Sequence, residues 1–496
     1  MENRKLGFIF ILAIALAFFA GFQIQTFFVN NEPEPFVDVY SEITEALDRY
    51  YLYDIDQDEK DQAFLAQMQA IVNAYATSND DPYTRLVANP VNVAPTDAES
   101  YVGMGVTIQN EIAFLRVLDV IYQGPSFGKL YPNDLIVGIM NGTEKVYFET
   151  LASNISRTAY LAGDVNDVKS LIVVNPDGIE NIVDITYEEI STPTAYHQTF
   201  DDHIGYIRIS EFSGYVKDVT VGTAKVFSDA LNALENTVLN DATDTLIIDL
   251  RDNPGGSLTA LHNHNDQNLI PGILQILLTR DVERPLFSMI NKNNVTTTFL
   301  GNLSQPKPYD IKVLVNEYSA SAAEVLAAAL NVHGGYDLYG NYTYGKDVYQ
   351  NTVSLATIDS MTYYLTYTEG YWLYDGDKKV SEHPLDVQLI EQTGYYTIEE
   401  MMYEKEITKD QVHHSLSAYQ RFLNVYFELS GNNAMRTDGY FDQLTEDYIL
   451  QFQQEQQLNE SKNLDLETAR AIFDLLKQYQ NEYAYDHQLQ TLIGMI

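Results

Sequence analysis

Ile311-Lys-Val-Leu-Val-Asn-Glu-Tyr-Ser-Ala-Ser-Ala-Ala-Glu-Val-Leu-Ala-Ala-Ala-Leu330 is the stretch whose reading decides the fold. Residues 311–315 are apolar apart from Lys312 and read as a buried strand; from Ala322 an Ala- and Leu-rich run reads as a helix. A strand feeding a helix through a short polar turn is the repeating step of an α/β core. Taken alone, Ser321 at the helix start is an ordinary N-cap. The same junction can also hold a hydroxyl rigidly beside helix N–H groups able to stabilise an oxyanion.

Outward from this junction the alternation continues, with strands expected at 204–209 and 246–250 and a helix at 220–235. The strand at 246–250 runs into Asp249-Leu-Arg-Asp-Asn-Pro-Gly-Gly256, a turn whose glycines let backbone N–H groups approach a ligand; by itself it also reads as an ordinary strand-ending turn. Residues 101–190 change texture to short β-like runs separated by Gly, Pro and Asn turns, a small β-rich module. Residues 33–80 read as helical up to the break at Asp80-Asp81-Pro82-Tyr83. Beyond Thr397 three helices, near 416–426, 444–452 and 468–476, suit a separate bundle.

The 496 residues allow several domains, and 45% hydrophobic residues can build real cores. With 29 Lys+Arg against 70 Asp+Glu, the net charge of −41 repels phosphate backbones and argues against nucleic-acid binding. There is no Cys, which excludes cysteine nucleophiles, disulfides and thiolate metal sites. After Arg4 and Lys5 no charge appears until Glu32, and residues 6–22 are almost wholly apolar. That run is about long enough to cross a bilayer, and the basic residues before it place the N-terminus in the cytoplasm and the body outside. A cleaved signal peptide is the competing reading.

A serine nucleophile needs a base. No Gly-x-Ser-x-Gly elbow occurs, and the nine His form no recognisable triad order. Lys346, in Tyr344-Gly345-Lys346, lies 25 residues beyond Ser321, with Gln350 four residues further on. A lysine accepts a proton only when neutral, so its site must be walled by apolar surface that pulls the pKa below roughly 10.4. The His262-x-His264 pair lacks further ligands and reads as a solvated loop.

These segments resemble the carboxyl-terminal processing proteases, also called tail-specific proteases. In that family a Ser-Ala-Ser-x-x-Glu segment carries the nucleophile, matching Ser321 and Glu324; a Gly-Lys pair supplies the base, matching Lys346; and a Gln orients it, matching Gln350. Arg251 to Gly256 matches the family's Arg-x-Asn-Pro-Gly-Gly turn. Tyr101-Val-Gly-Met-Gly-Val106 resembles the loop opening a PDZ domain, and Leu130-Tyr-Pro-Asn-Asp134 through Asn141-Gly142 its second motif. Thr437-Asp-Gly-Tyr-Phe441 with the flanking helices resembles a peptidoglycan-binding three-helix domain. Departures are Asp347-Val348 after the lysine, where the family has Gly-Thr, and Ser381-Glu-His-Pro384 in place of Gly-Ile-Glu-Pro. If residues 346–350 are extended, Asp347 faces away from Lys346 and is screened by solvent.

The resemblance implies a multidomain α/β protein. Its parts are a cytoplasmic tail and transmembrane signal-anchor (1–31), an N-terminal helical region (32–99), a PDZ domain (100–190), a protease core (191–396), a peptidoglycan-binding-like helical domain (397–482) and a C-terminal tail (483–496). It further implies an extracytoplasmic, membrane-anchored serine endopeptidase that needs no metal or cofactor. The backbone N–H groups of Ala322 and Gly256 would form the oxyanion hole. Gly103, Met104 and Gly105 would bind the C-terminus of a protein substrate by adding a strand. Peptidoglycan and a second copy of the chain are the further expected partners, the dimer being built through the N-terminal helices. A catalytically silent, wall-bound PDZ adaptor is the alternative, and intact Ser321, Lys346 and Gln350 argue against it.

Overall fold

In the computed structural model the described residues are 43, 57–90, 100–151, 157–216, 220–263, 270–358, 361–399 and 401–496. The expected signal-anchor at 1–31, and His264, lie outside them. Among the described residues no helix is long and apolar enough to cross a membrane. The chain is mixed α/β and divides into two compact units, one formed by residues 1–95, 287–298 and 347–379, the other by 96–286, 299–346 and 380–496.

The first unit is built on one long strand, Met361–Leu373, in which Thr and Tyr recur in a pattern that suits a pleated surface. It pairs antiparallel with Arg85–Pro90, Val348–Ile358 and Phe287–Asn291, and Thr296–Phe299 extends the sheet beyond the last. The helix Gln57–Thr77 precedes the Asp81-Pro82-Tyr83 break. There the Asp81 carboxylate accepts the backbone N–H groups of Tyr83 and Thr84 and the hydroxyls of Thr84 and Thr368. Asp81 in the helix break is thus the clip that fixes this turn to the long strand.

Among its described residues the second unit contains two large sheets, a two-stranded pairing of Ser100–Gly103 with Glu188–Ser191, and a helical region. Its central sheet runs Ala195–Asp201, Ile204–Ile209, Thr245–Asp249, Asp310–Val315, Leu338–Gly340 and Val387–Leu389; the first pair is antiparallel and the rest parallel. Thr245–Asp249 is buried along its whole length, as a central parallel strand covered on both faces must be. Helix Thr223–Glu235 buries Phe227, Ala230, Leu231 and Leu234.

The other sheet is antiparallel, ordered Val106–Asn110, Leu115–Val120, Leu135–Asn141, Val168–Val174 and Glu180–Thr186, with Glu144–Tyr147 paired to the third strand. It is the β-rich module expected from the sequence. The expected bundle is present as Leu416–Tyr426, Gln443–Glu455 and Leu466–Gln480.

Its separateness is corrected. Leu115, Ile136 and Leu171 of the sheet belong to the same buried cluster as Met401, Tyr403, Tyr419 and Phe473 of the helical region. Polar contacts reinforce the seam: Arg470 donates to Asp134 at 2.9 Å and Tyr131 to Asp474 at 3.0 Å. Residues 483–496, expected as a tail, are also corrected. They form the helix His487–Ile493, whose Leu489 and Leu492 pack with Ile204, Tyr206, Ile247 and Leu314 of the central sheet. Apolar spacing over seven residues is too short a signal to distinguish such a helix from a tail.

Candidate active site

Three loops at the ends of the central parallel strands build the site. After Asp310–Val315 the chain turns, and Ser319 holds the turn: its hydroxyl donates to Leu250 O at 2.8 Å and accepts the Asn316 N–H at 2.9 Å. After Thr245–Asp249, Asn253 takes up the neighbouring loop. Its carbonyl accepts Ala320 N–H at 2.9 Å, its Nδ2 donates to Ile209 O and its Oδ1 accepts Gly255 N–H at 2.8 Å. The Asn-Pro-Gly-Gly turn is thereby laced to the serine turn by backbone and amide groups that are buried.

Ser321 emerges from this lacing with φ 56° and ψ −115°, a conformation that L-residues adopt at a cost of about 1–3 kcal/mol. A non-glycine residue held there, at a strand-to-helix corner, is a hallmark of a nucleophile turn. The glycine against it is Gly255. A Cβ on Gly255 would lie 2.8 Å from Ser321 Cβ and 3.0 Å from Ala322 N, and its own φ is +102°, so only glycine fits. A Cβ on Gly256, the glycine expected from sequence at the oxyanion hole, would instead meet the backbone of Phe212, to which Gly256 is bridged. The Pro-Gly-Gly run carried both glycines; their division of labour is a tertiary fact.

Ala322–Ala329 follows, with all eight residues buried. Its third residue, Glu324, is fully buried and accepts three backbone N–H groups: Ser321 at 2.9 Å, Gly345 at 2.5 Å and Lys346 at 2.8 Å. Ser321 and Lys346 share the same carboxylate oxygen. The Ser321 bond is the return half of a capping box. The other two carry the segment bearing Lys346 across to the start of the serine helix, and Tyr344 N–H donating to Ser319 O at 3.1 Å adds a further tie. Burial pushes the Glu324 carboxyl above its ordinary value, and the backbone donors offset this only in part.

Arg251 stands behind the turn, almost wholly buried, and forks between Asp249 and Asp486, each at 2.6 Å. Burial pushes the Asp249 carboxyl up, but the Arg251 guanidinium outweighs it and holds the carboxyl below its ordinary value. Asp486 caps the final helix through Leu489 N–H, so the site's supporting charge network ends in the segment expected as a tail.

Among the remaining expected residues, Gln350 is the third residue of Val348–Ile358, a strand of the other compact unit. Asp347 is only 8% exposed, which removes the expected solvent screening of its carboxylate. His262 is also buried, its Nε2 3.0 Å from Leu300 O and its ring edge-on to Phe299, so it is a packed histidine rather than one in a solvated loop. Gly103, Met104 and Gly105 join the strands Ser100–Gly103 and Val106–Asn110, with the Met104 side chain buried in the module's core.

Comparison with known proteins bears on this arrangement. A family model described as Peptidase family S41 matches residues 203–387, and one described as Putative peptidoglycan binding domain matches residues 412–472. The chain is similar to the carboxy-terminal processing protease CtpB of Bacillus subtilis, 25% identical over 476 residues that cover 94% of this chain and 90% of that protein. It is likewise similar to CtpA of the same organism, 23% identical over 455 residues, covering 89% and 87%. A solved structure, a photosystem II D1 C-terminal processing protease, aligns over 71% of this chain and 86% of its own with 20% identity and a TM-score of 0.37.

Proposed function

We propose, for a chain that belongs to the carboxy-terminal processing proteases and is a serine-type peptidase, that Ser321 is the nucleophile and Lys346 the general base of an extracytoplasmic endopeptidase. The observation that carries this reading is the Glu324 carboxylate, one oxygen of which accepts the backbone N–H groups of both Ser321 and Lys346. Two backbone N–H groups 25 positions apart in sequence thus meet at one carboxylate oxygen, which supports reading their side chains as a nucleophile and its base.

In this mechanism Ser321 Oγ attacks the scissile carbonyl as its proton passes to neutral Lys346 Nζ. The N–H groups of Ala322 and Gly256 stabilise the oxyanion. Gly255 cannot take that part, because its N–H is bound to Asn253. Lys346 then protonates the leaving amine, the acyl-enzyme forms, and a water deprotonated by Lys346 releases it. Gln350 keeps the orienting role that the family resemblance gives it. The module at 100–190 acts as a PDZ domain, in which the Gly103-Met104-Gly105 loop receives the substrate's C-terminus. Residues 397–482 hold the enzyme to peptidoglycan, and residues 1–31 anchor it in the membrane, with a homodimer as the working form.

The test is cleavage of an unstructured protein by the purified chain. Ser321→Ala and Lys346→Ala should each abolish cleavage, and the double variant should be little worse than either, because the pair acts as one unit. Clearly additive losses would refute the assignment. The parent's rate should rise with pH as the lysine loses its proton and then level off.

A further inference from the structure

We propose that Glu404, His413 and His414 form a binding site for a borderline divalent cation of the zinc type, outside the peptidase site. One ligating atom from each residue lies within 4.8 Å of the other two. Glu404 Oε1 is 3.0 Å from His414 Nε2, and Glu404 Oε2 is 3.6 Å from His413 Nε2. Tetrahedral zinc with bonds of roughly 2.0–2.1 Å holds its ligand atoms roughly 3.4 Å apart. The two Glu404–His spacings, made by different carboxylate oxygens, lie near that value. The two imidazoles, stacked with ring centroids 4.7 Å apart, must splay to converge on one ion. Two imidazoles and one carboxylate suit zinc, copper or nickel, whereas magnesium and calcium take oxygen donors.

His413 is held in place by backbone, while Glu404 and His414 are placed by their pairing and by the contacts of their neighbours. His413 donates its N–H to Gly439 O at 2.9 Å, and Gly439 stands so close that a Cβ there would lie 2.3 Å from His413 O. The His413 Nδ1 is 2.8 Å from Ser415 Oγ. The Ser415 backbone N–H also points at this Nδ1, at 3.4 Å, so binding a metal through Nε2 requires Nδ1 to carry the proton and direct it to the hydroxyl instead, the outer contact that metal-bound histidines use to fix their ring. Glu404 follows Tyr403, whose Oη donates to Asp177 and whose carbonyl accepts from Asn133, and precedes Ile407, paired with Leu464. The His413 side chain is largely buried while His414 is exposed, which leaves the outer face open for water as the remaining ligand. A net charge of −41 concentrates cations around the molecule. A bound cation would clamp the segment that carries Tyr403 against the β-module to the start of the helix Leu416–Tyr426.

The experiment is thermal melting of the full chain with ZnCl2, and visible absorption of the same chain with CoCl2. Zinc should raise the melting temperature by mass action and MgCl2 should not. Cobalt should give the intense visible bands of a four-coordinate site. His414→Ala, at an exposed position that leaves folding intact, and Glu404→Gln should each weaken the zinc response about tenfold or more in half-saturating concentration. No rise in melting temperature with zinc, or a response undiminished in both variants, overturns the proposal. Peptidase activity is not part of the readout, so this outcome is independent of the assignment of Ser321.

Discussion

Ser321 is held at φ 56°, where glycine is at ease and serine is not, so its hydroxyl is placed at an energetic cost. Ser321→Gly should therefore abolish cleavage while raising stability by about 1 kcal/mol, since the glycine relieves the strained dihedral. Chemical denaturation of the two proteins checks this, and a less stable glycine variant would mean that the strain is absent. Glu324 works on the same scale. Glu324→Gln keeps one acceptor oxygen but turns an amide NH2 toward an N–H donor, Gly345, Ser321 or Lys346. A buried donor left unsatisfied costs about 1–3 kcal/mol. A small shift between nucleophile and base reduces the rate by up to about a hundredfold. The expected result is a folded protein with kcat down tenfold or more (about 1.4 kcal/mol per tenfold) and KM little changed. A fall in activity matched by the fall in folded fraction would reduce Glu324 to a structural cap.

At the scale of elements, the final helix His487–Ile493 is joined to the site by charge. Asp486 both caps it and shares Arg251 with Asp249. Asp486→Asn leaves the buried guanidinium half-compensated, a loss of about 3 kcal/mol. Protease nicking near residue 486 should accelerate in the variant, and unchanged nicking would show that apolar packing of Leu489 and Leu492 suffices. Acid should act on the same network in the parent. Because the folded Asp249 carboxyl lies below its unfolded value of 3.8, its stabilising contribution is complete above that pH and is lost as pH falls through the lower folded value.

The whole second unit is stitched across the seam between the β-module and the helical region. Burial pushes the Asp134 carboxyl up, and Arg470 offsets this only in part. Arg470→Ala should therefore destabilise the unit by about 3 kcal/mol near neutral pH, where Asp134 is left buried and unpaired. The folded carboxyl then holds its proton more tightly than the unfolded one, so the loss should shrink as pH falls toward the ordinary value of 3.8. Calorimetry provides the readout: one cooperative transition in the parent for module and helices, resolved into two in Arg470→Ala at pH 7. Two transitions already present in the parent would show that the shared core does not couple them.

Sequence alone determined the elements whose signal is local or repeated in short range. The strand-turn-helix at 311–330, the buried run read at 246–250, the β texture of 101–190 and the three helices after 397 were legible because burial patterning follows a backbone period of two or 3.6 residues. The spacing of Ser321, Lys346 and Gln350 was legible for a different reason, as a motif. What only the tertiary structure decided depends on residues distant in the chain meeting one another. Glu324 reads locally as a helix-terminal charge, and becomes the staple of the site because Gly345 and Lys346 return to it. Gly255 and Gly256 are alike in sequence, and differ in what an added Cβ would strike, Ser321 in the first case and Phe212 in the second. Asp347 and His262, read as solvated, are buried, and the tail is a packed helix, because burial is set by what other elements place on top of a residue and has no local signature in one short segment.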